Sequence, residues 1–202
     1  MNRLIIVGSG SHGKVILDIA LKLGYENIAF LDDYAEQGVL GCDVIGKIAD
    51  LEELNDAKTD FIIGIGNNHT RRTIQESYNV NWVSLVHPSA QIGYKASIGK
   101  GSVVMAGAVI GTCAEIGAGC IVNTCASVDH ECKLGDFVHA SAGVRLAGNV
   151  TIGDNTFVGI GAIVSNNIEI TSNCLIGAGA VVVKNITEAG TYVGVPARKL
   201  IK

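Results

Sequence analysis

An aliphatic or small residue recurs at every sixth position from residue 92 to residue 182, and this repeat limits the possible folds more than any other feature. A period of six fits neither the helical repeat nor the simple alternation of a strand. It fits short strands joined by tight corners, at which Gly or Asn supplies a positive φ. Three strands then close a triangular coil of eighteen residues, and successive coils stack about 4.8 Å apart. The repeating positions are Ile92, Ile98, Val104, Ile110, Ile116, Val122, Val128, Leu134, Ala140, Leu146, Ile152, Val158, Val164, Ile170, Ile176 and Val182.

This hexad pattern resembles that of the hexapeptide-repeat acyltransferases, and the resemblance implies a left-handed parallel β-helix. The handedness comes from the resemblance alone, because the general preference for right-handed crossovers predicts the opposite.

The composition excludes several classes of protein. The 202 residues suggest one or two domains, and 15 basic against 19 acidic side chains give a net charge of −4. This balance argues against a nucleic-acid partner, and no Lys/Arg cluster indicates a membrane surface. No apolar run is long enough to span a bilayer, and the first residues indicate a buried strand rather than a signal peptide. The six cysteines contain no C-x-x-C pair, so we expect a reducing, cytoplasmic setting.

Strand and helix patterns alternate before the repeat and predict a small α/β domain with a parallel sheet over residues 1–86. The β-helix domain, with a C-terminal cap, is predicted over residues 87–202. The overall expectation is thus a short Rossmann-like βαβ domain followed by a left-handed parallel β-helix. The predicted elements are a strand from residue 3, a helix over Val15–Leu23, strands Asn27–Leu31 and Asp60–Ile65, a short helix near Leu51–Leu54, a helix carrying Arg71, Arg72 and Ile74, and a strand over Val83–Val86.

A glycine-rich turn follows the first strand. Gly8, Gly10 and Gly13 match the dinucleotide fingerprint G-x-G-x-x-G, and Asp32 lies about twenty residues further on. The domain is too short for a two-halved dinucleotide fold, so a nucleotide-sugar is the better prediction than NAD. Its diphosphate is expected at the helix N-terminus beside Gly10, Ser11 and His12. The alternative is that the glycines only shape the turn.

Six motifs spread over the whole chain extend the resemblance: GSGSHG, LDD, IGNN, HPSA, NTCASVDHE and GVPAR. Together they resemble bacterial sugar N- and O-acetyltransferases that place a small nucleotide-binding domain before a β-helix. The pattern is most similar to enzymes that acetylate the 4-amino group of a UDP-linked 4-amino-4,6-dideoxy sugar. The resemblance implies acetyl-CoA as co-substrate, no metal, and nucleotide-sugar contacts at Asp32, Asp33, Gly66 and Asn67.

His130 and Glu131 follow the inward Val128 by two and three positions, which places them at a corner of the triangle. Side chains at a corner are free of the core, so an imidazole there can reach a substrate. The resemblance makes His130 the general base and Glu131 the acid that tunes it; the alternative is a surface histidine at a turn. Gly148 lies eighteen residues after His130, so its amide is expected one coil away, placed to receive an oxyanion.

His139 lies nine residues, or half a coil, after His130, and is therefore expected on the opposite side of the prism. The resemblance implies that His139 contacts acetyl-CoA. A site that uses both histidines must then be shared between subunits, which predicts a homotrimer. Further acetyl-CoA contacts implied by the resemblance are Ile160, Gly161, Ala178 and Gly179, and the candidates for its phosphates are Lys184, Arg198 and Lys199.

Four other functions are alternatives. The acceptor could be a sugar hydroxyl, as in sialic acid O-acetylation, or the amine of another nucleotide-linked sugar. A zinc lyase of the γ-carbonic-anhydrase kind needs three converging histidines, but the repeat region holds only His130 and His139. The chain could also be a non-catalytic, nucleotide-sensing scaffold.

Overall fold

A computed structural model describes residues 2–35 and 37–201. The N-terminal part is a four-stranded parallel sheet with the strand order β3-β2-β1-β4. Three of its strands are buried except at Arg3 and are mostly apolar, as expected for a parallel sheet covered on both faces. Its elements are β1 (Arg3–Val7), α1 (Ser11–Lys22), β2 (Ile28–Leu31), β3 (Val44–Gly46), a 3₁₀ turn (Ile48–Leu51), β4 (Thr59–Ile63) and α2 (Asn68–Ser77).

Some element boundaries differ from those predicted. Helix α1 begins at Ser11, four residues before Val15, because the chain enters the helix directly from the glycine turn. The short helix predicted near Leu51–Leu54 is a 3₁₀ turn over Ile48–Leu51. Strand β3 was not predicted, because it has three residues, none of them fully buried, and no apolar run marks it.

The rest of the chain is a parallel β-helix, which confirms the predicted fold class. From β8 to β18, each strand pairs with the strands eighteen residues before and after it; for example, Ile121 pairs with Val103 and His139. The inward residues of the hexads form one continuous core along the axis. The strands are β5 (Leu85–Val86), β6 (Gln91–Ile92), β7 (Ser97–Ile98), β8 (Val103–Val104), β9 (Val109–Ile110), β10 (Glu115–Ile116), β11 (Ile121–Val122), β12 (Ser127–Val128), β13 (Lys133–Leu134), β14 (His139–Ala140), β15 (Arg145–Leu146), β16 (Thr151–Ile152), β17 (Phe157–Val158), β18 (Ile163–Val164), β19 (Glu169–Ile170), β20 (Cys174–Ile176), β21 (Val181–Val182), β22 (Gly190–Val193) and β23 (Arg198–Lys199).

The three faces of the prism differ in chemistry. The covered face (β5, β8, β11, β14, β17, β20, β22 and β23) packs against the α/β domain. The apolar face (β6, β9, β12, β15, β18 and β21) exposes Val109 and Ile163, and with them Gln91 and a single charged residue, Arg145. The charged face (β7, β10, β13, β16 and β19) presents Glu115, Lys133 and Glu169 to solvent. Strand β5 pairs with β8, so the β-helix begins two residues before the predicted domain boundary.

Three columns of residues with positive φ run along the edges of the prism, eighteen positions apart. The expectation that Gly or Asn fills them is wrong at Lys95, Cys113, Cys125, Glu131 and Phe137, whose φ values lie between 55° and 59°. The glycine edge joins the covered and apolar faces, the His130 edge joins the apolar and charged faces, and the α2 edge joins the charged and covered faces. These columns are 107, 125, 143, 161 and 179 on the glycine edge, 95, 113, 131, 149 and 167 on the His130 edge, and 101, 119, 137, 155 and 173 on the α2 edge.

Neither helix in the described part of the chain is long and apolar enough to cross a membrane. Over residues 2–35 and 37–201, no three His, Cys, Asp or Glu side chains come together as a metal-binding group.

Candidate active site and nucleotide cavity

His130 and Glu131 lie together at the His130 edge, directly after β12. His130 Nδ1 is 3.2 Å from Glu131 Oε2, and both side chains are more than half exposed. With Nδ1–H donating to the carboxylate, Nε2 carries the free lone pair that can accept a proton. Glu131 holds this position in the left-handed region, at φ 58°, which is unfavourable for a residue other than Gly or Asn.

Gly148 lies against the His130 ring on the next coil. A Cβ added at position 148 would overlap the imidazole, and the neighbouring Asn149 N–H donates to the His130 carbonyl at 2.9 Å. The Gly148 amide itself has no acceptor among the described residues. The edge therefore presents a proton acceptor and a backbone N–H side by side, which is the pair of groups that acyl transfer requires.

We expect Gly148→Ala to lower kcat about tenfold or more, because the added methyl displaces the imidazole from its place. Backbone strain is not the cause, because Gly148 does not have a positive φ. The control is Gly148→Ala in a His130→Gln background, where no further loss is expected if the methyl acts through the ring. Steady-state kinetics and melting temperatures of the four proteins check this, and an equal loss in both backgrounds would contradict it.

The glycine-rich turn has the geometry of a phosphate-binding loop. Gly8 has a φ of 99°, and a Cβ at Gly13 would overlap the Gly8 carbonyl, so the first turn of α1 packs directly on the loop. Gly10, Ser11 and His12 line a cavity of about 490 Å³ at the N-terminus of α1. Backbone amides and the helix dipole make such a place favourable for anions.

The two aspartates after β2 have different partners. Asp32 Oδ2 accepts from the Ser9 N–H at 2.8 Å and from the Ser9 hydroxyl at 2.7 Å, and its Oδ1 accepts from the amides of Tyr34 and Ala35. Burial alone would raise the pKa of Asp32, but these hydrogen bonds outweigh it and lower the pKa to about 2. Within the described residues, Asp33 accepts one hydrogen bond through its carboxylate, from the Ile48 N–H to Oδ1. Both line the cavity, but Asp32 is largely engaged in holding the turn, and Asp33 is the freer carboxylate.

His139 and His12 form a buried pair between the β-helix and the α/β domain. His139 is 8% exposed, and its Nε2 lies 3.1 Å from Asn123 Nδ2. Because Asn123 Oδ1 accepts from the Thr124 N–H, its amino group faces His139, and the neutral imidazole carries its proton on Nδ1. Burial, with the nearby Arg71 charge, lowers the pKa of His139 to about 3 and that of His12 to about 4. Both rings are therefore neutral at physiological pH.

Gly66 and Asn67 belong to the loop between β4 and α2, which lies between the α/β domain and the β-helix. Asn67 caps α2 by accepting from the Thr70 N–H at 2.9 Å. Gly66 lines the cavity at the N-terminus of α1 and a second cavity of about 550 Å³, which lies between α2 and the covered face near Phe157 and Leu175. The loop thus lies beside His12 and His139 rather than beside His130.

Four of the predicted acetyl-CoA contacts lie along the glycine edge, whereas the fifth, His139, lies on the covered face. No atom comes within 4 Å of a Cβ built at Gly143, Gly161 or Gly179, so this edge is open along three successive coils. Ile160, beside Gly161, is 60% exposed, and Ala178 precedes Gly179. Lys184, Arg198 and Lys199 surround a cavity of about 310 Å³ on the last coil, where Lys199 pairs with Glu188 at 2.8 Å.

Within one chain, the structure brings His12, Gly66, Asn67 and His139 together and leaves His130 on the edge opposite the covered face. Three further residues lie beside this group and were not singled out as site residues from the sequence: Asn68, Arg71 and Asn123. Asn123 lies in the NTCASVDHE motif and could have been found there. Asn68 is the last residue of the IGNN motif and could have been found in the same way, whereas Arg71 carries no local signal.

Comparison with known proteins agrees with this architecture. Residues 3–78 match the family described as PglD N-terminal domain, and residues 149–184 match bacterial transferase hexapeptide (six repeats). The acetyltransferase domain of PglB from Neisseria gonorrhoeae is 40% identical, with a TM-score of 0.96 over 99% of this chain and 100% of that one. This chain belongs to the bacterial sugar acetyltransferases of the hexapeptide-repeat family.

Two further members extend the comparison. A structure of PerB from Caulobacter crescentus in complex with CoA and GDP-perosamine is 33% identical, with a TM-score of 0.93 over 99% of this chain and 98% of that one. The curated UDP-N-acetylbacillosamine N-acetyltransferase of Bacillus subtilis is 37% identical over 113 residues, which is 52% of either chain. The matched part thus spans about half the length of that curated relative.

Proposed function

We propose that this protein transfers the acetyl group of acetyl-CoA to the 4-amino group of a UDP-linked 4-amino-4,6-dideoxy sugar. The observation that carries the proposal is the His130–Glu131 pair lying against Gly148, in a chain that also has a phosphate-binding turn at Gly8–Gly13. The relatives support it, since one is named for UDP-N-acetylbacillosamine and another is bound to CoA and GDP-perosamine. The six unpaired cysteines suit a cytoplasmic location.

The chemistry follows from the two groups at the His130 edge. The neutral amine attacks the thioester carbonyl, forming the C–N bond, while His130 Nε2 accepts the amine proton. The Gly148 N–H donates to the oxyanion of the tetrahedral intermediate, a type of interaction worth about 3–4 kcal/mol. When the intermediate collapses, the C–S bond breaks, and His130 returns the proton to the CoA thiolate. Glu131 stabilises the imidazolium between the two transfers.

We propose a homotrimer in which the apolar face surrounds the threefold axis. Of the three faces, one is covered by the α/β domain and one is charged, which leaves the face carrying Val109 and Ile163 to be buried. Around a threefold axis, the two edges of this face meet opposite edges of the neighbours. The His130 edge of one subunit then lies beside the glycine edge of the next, where acetyl-CoA is expected.

A substrate panel tests the proposed function. We expect acetyl-CoA consumption with a UDP-4-amino-4,6-dideoxy sugar, and little with the corresponding 4-hydroxy sugar or with the GDP-linked amine. UDP should raise the melting temperature, because a ligand that binds only the folded state stabilises it by mass action. Faster transfer to a sialic-acid-like hydroxyl would instead support an O-acetyltransferase, and UDP-induced stabilisation without any transfer would support a non-catalytic scaffold.

A further inference from the structure

Helix α2 lies along the α2 edge and contacts four successive coils. Gln75 Nε2 donates to the Lys100 carbonyl at 3.1 Å, and Arg71 donates to the carbonyls of Gly119 at 2.6 Å and Phe137 at 3.2 Å. Asn68 Nδ2 donates to the Asn155 carbonyl at 3.3 Å. The match is geometric, because one helical turn rises about 5.4 Å and one coil about 4.8 Å.

Three of these four acceptors are carbonyls that coil stacking does not use; the fourth, on Lys100, also accepts from the Gly119 N–H. At each corner the stacking bond goes to the residue before the positive-φ position: Gly119 N–H donates to Lys100, Phe137 N–H to Ala118, and Asn155 N–H to Asp136. The carbonyls of Gly119, Phe137 and Asn155 themselves have no backbone donor in the described part of the chain. Arg71 and Asn68 supply the missing donors.

Arg71 also holds the loop between β4 and α2. Its Nη1 donates to the carbonyls of Gly66 at 3.1 Å and Ile65 at 3.3 Å, and its Nη2 donates to Asn68 Oδ1 at 3.0 Å. Arg71 is 1% exposed and has no carboxylate partner among residues 2–35 and 37–201, where these oxygens are the acceptors of its guanidinium. Burial lowers the pKa of Arg71 to about 10, and the group is still charged at neutral pH.

We propose that Arg71 is a positioning residue for acetyl transfer, which fixes the height of the Gly66–Asn67 loop on the β-helix. The inference rests on the proposed function, in which the nucleotide occupies the cavity beside this loop and the amine must reach the acetyl group at the prism edge. If the loop is fixed, a nucleotide bound beside it holds the sugar amine at a fixed position relative to the acetyl group. Such positioning raises kcat and leaves the affinity for the nucleotide unchanged. Arg71 donates both to the β-helix, at Gly119 and Phe137, and to the Gly66 carbonyl in the loop, so it links the height of the loop to that of the coils.

The test compares Arg71→Met with Arg72→Met. Arg72 is the adjacent arginine on α2, is about one-third exposed, and pairs with Glu76. Its contacts with the β-helix are the Phe137 ring and a 4.0 Å ion pair with Asp154, and in the described part of the chain it donates no hydrogen bond to the carbonyls of the α2 edge. For Arg71→Met we expect kcat with the UDP-amino-sugar to fall on the order of 10²-fold, because a displacement of about 1 Å has an effect of that size. The Kd for UDP, measured by calorimetry, and the KM for acetyl-CoA should stay within about threefold. Arg72→Met should leave all three constants unchanged.

Two results would overturn the inference: an unchanged kcat in Arg71→Met, or an equal loss of UDP affinity and kcat, which indicates a structural role only. If Arg71→Met does not fold, Asn68→Ala is the second variant. It removes the contacts with the Asn155 coil and the acceptor of Arg71 Nη2, but it keeps the bonds of Arg71 to Gly119 and Phe137. The same split between kcat and UDP affinity is expected on a smaller scale. Wild-type protein assayed in parallel separates the positioning role of Arg71 from the proposed function. If the wild type acetylates no nucleotide-sugar, the proposed function itself is wrong.

Discussion

We expect His130→Gln to lower kcat by about 10²–10⁴-fold and to leave the KM for acetyl-CoA within about threefold. Glutamine has a similar size and can donate to Glu131 as Nδ1–H does, but it cannot accept the amine proton. Because His130 is exposed at an edge and contributes nothing to the core, the melting temperature should not change. Steady-state kinetics at saturating concentrations of both substrates measures the effect.

The matched control is His69→Gln, which replaces an exposed histidine of α2 and should leave kcat unchanged. A His130→Gln enzyme with most of its turnover would remove the general-base role. In that case the proton would pass directly to solvent, and the Gly148 amide would be the principal catalytic group left at this edge.

Mixing His130→Gln with a second variant, Ile160→Glu, tests whether the site is shared between subunits. Ile160→Glu places a carboxylate on the glycine edge, at a 60% exposed position, and should block acetyl-CoA there. Each variant alone is expected to be inactive. When the two are refolded together in equal amounts, about one quarter of the sites should combine an intact His130 with an intact neighbouring edge. No recovery of activity would place the whole site within one chain.

The sequence predicted the β-helix well because its physical cause is repeated many times. Each coil buries an aliphatic residue from each of its three strands, so one misread hexad cannot change the register. The corners were predicted less well, because stacking on both neighbouring coils forces even Glu131 and Phe137 into the left-handed region. Strand β3 has only three residues and pairs at the sheet margin, where burial leaves little pattern.

The candidate site was predictable where it depends on chain spacing. The distance of eighteen residues correctly placed Gly148 against His130, and nine residues placed His139 on the opposite face. Contacts between the two domains were not predictable in this way. Arg71 is recognisable only from the carbonyls of Gly119 and Phe137, about fifty and sixty-six positions away, and the engagement of Asp32 depends on Ser9 across the turn.

We expect the protein to lose stability steeply between pH 6.5 and pH 5, before most carboxylates begin to titrate. The cause is the buried pair His12 and His139, whose pKa values are lowered to about 4 and about 3 by burial and by the Arg71 charge. In the unfolded chain both imidazoles bind a proton below about pH 6.5, whereas the folded chain keeps them neutral. The unfolded state therefore binds more protons in this range, and the free energy of unfolding falls as the pH falls.

The expected size follows from the same linkage. Each imidazole contributes about 1.4 kcal/mol for each pH unit, so the pair should cost on the order of 2–4 kcal/mol between pH 6.5 and pH 5. Urea midpoints at both pH values, taken at one protein concentration, measure this. His139→Gln should remove about half of the dependence, since its side chain does not titrate, whereas His69→Gln should leave it intact because His69 is exposed. If the free energy of unfolding of His139→Gln kept the full dependence on pH, the acid sensitivity would arise outside this domain junction. The neutral imidazole pair would then not be its cause.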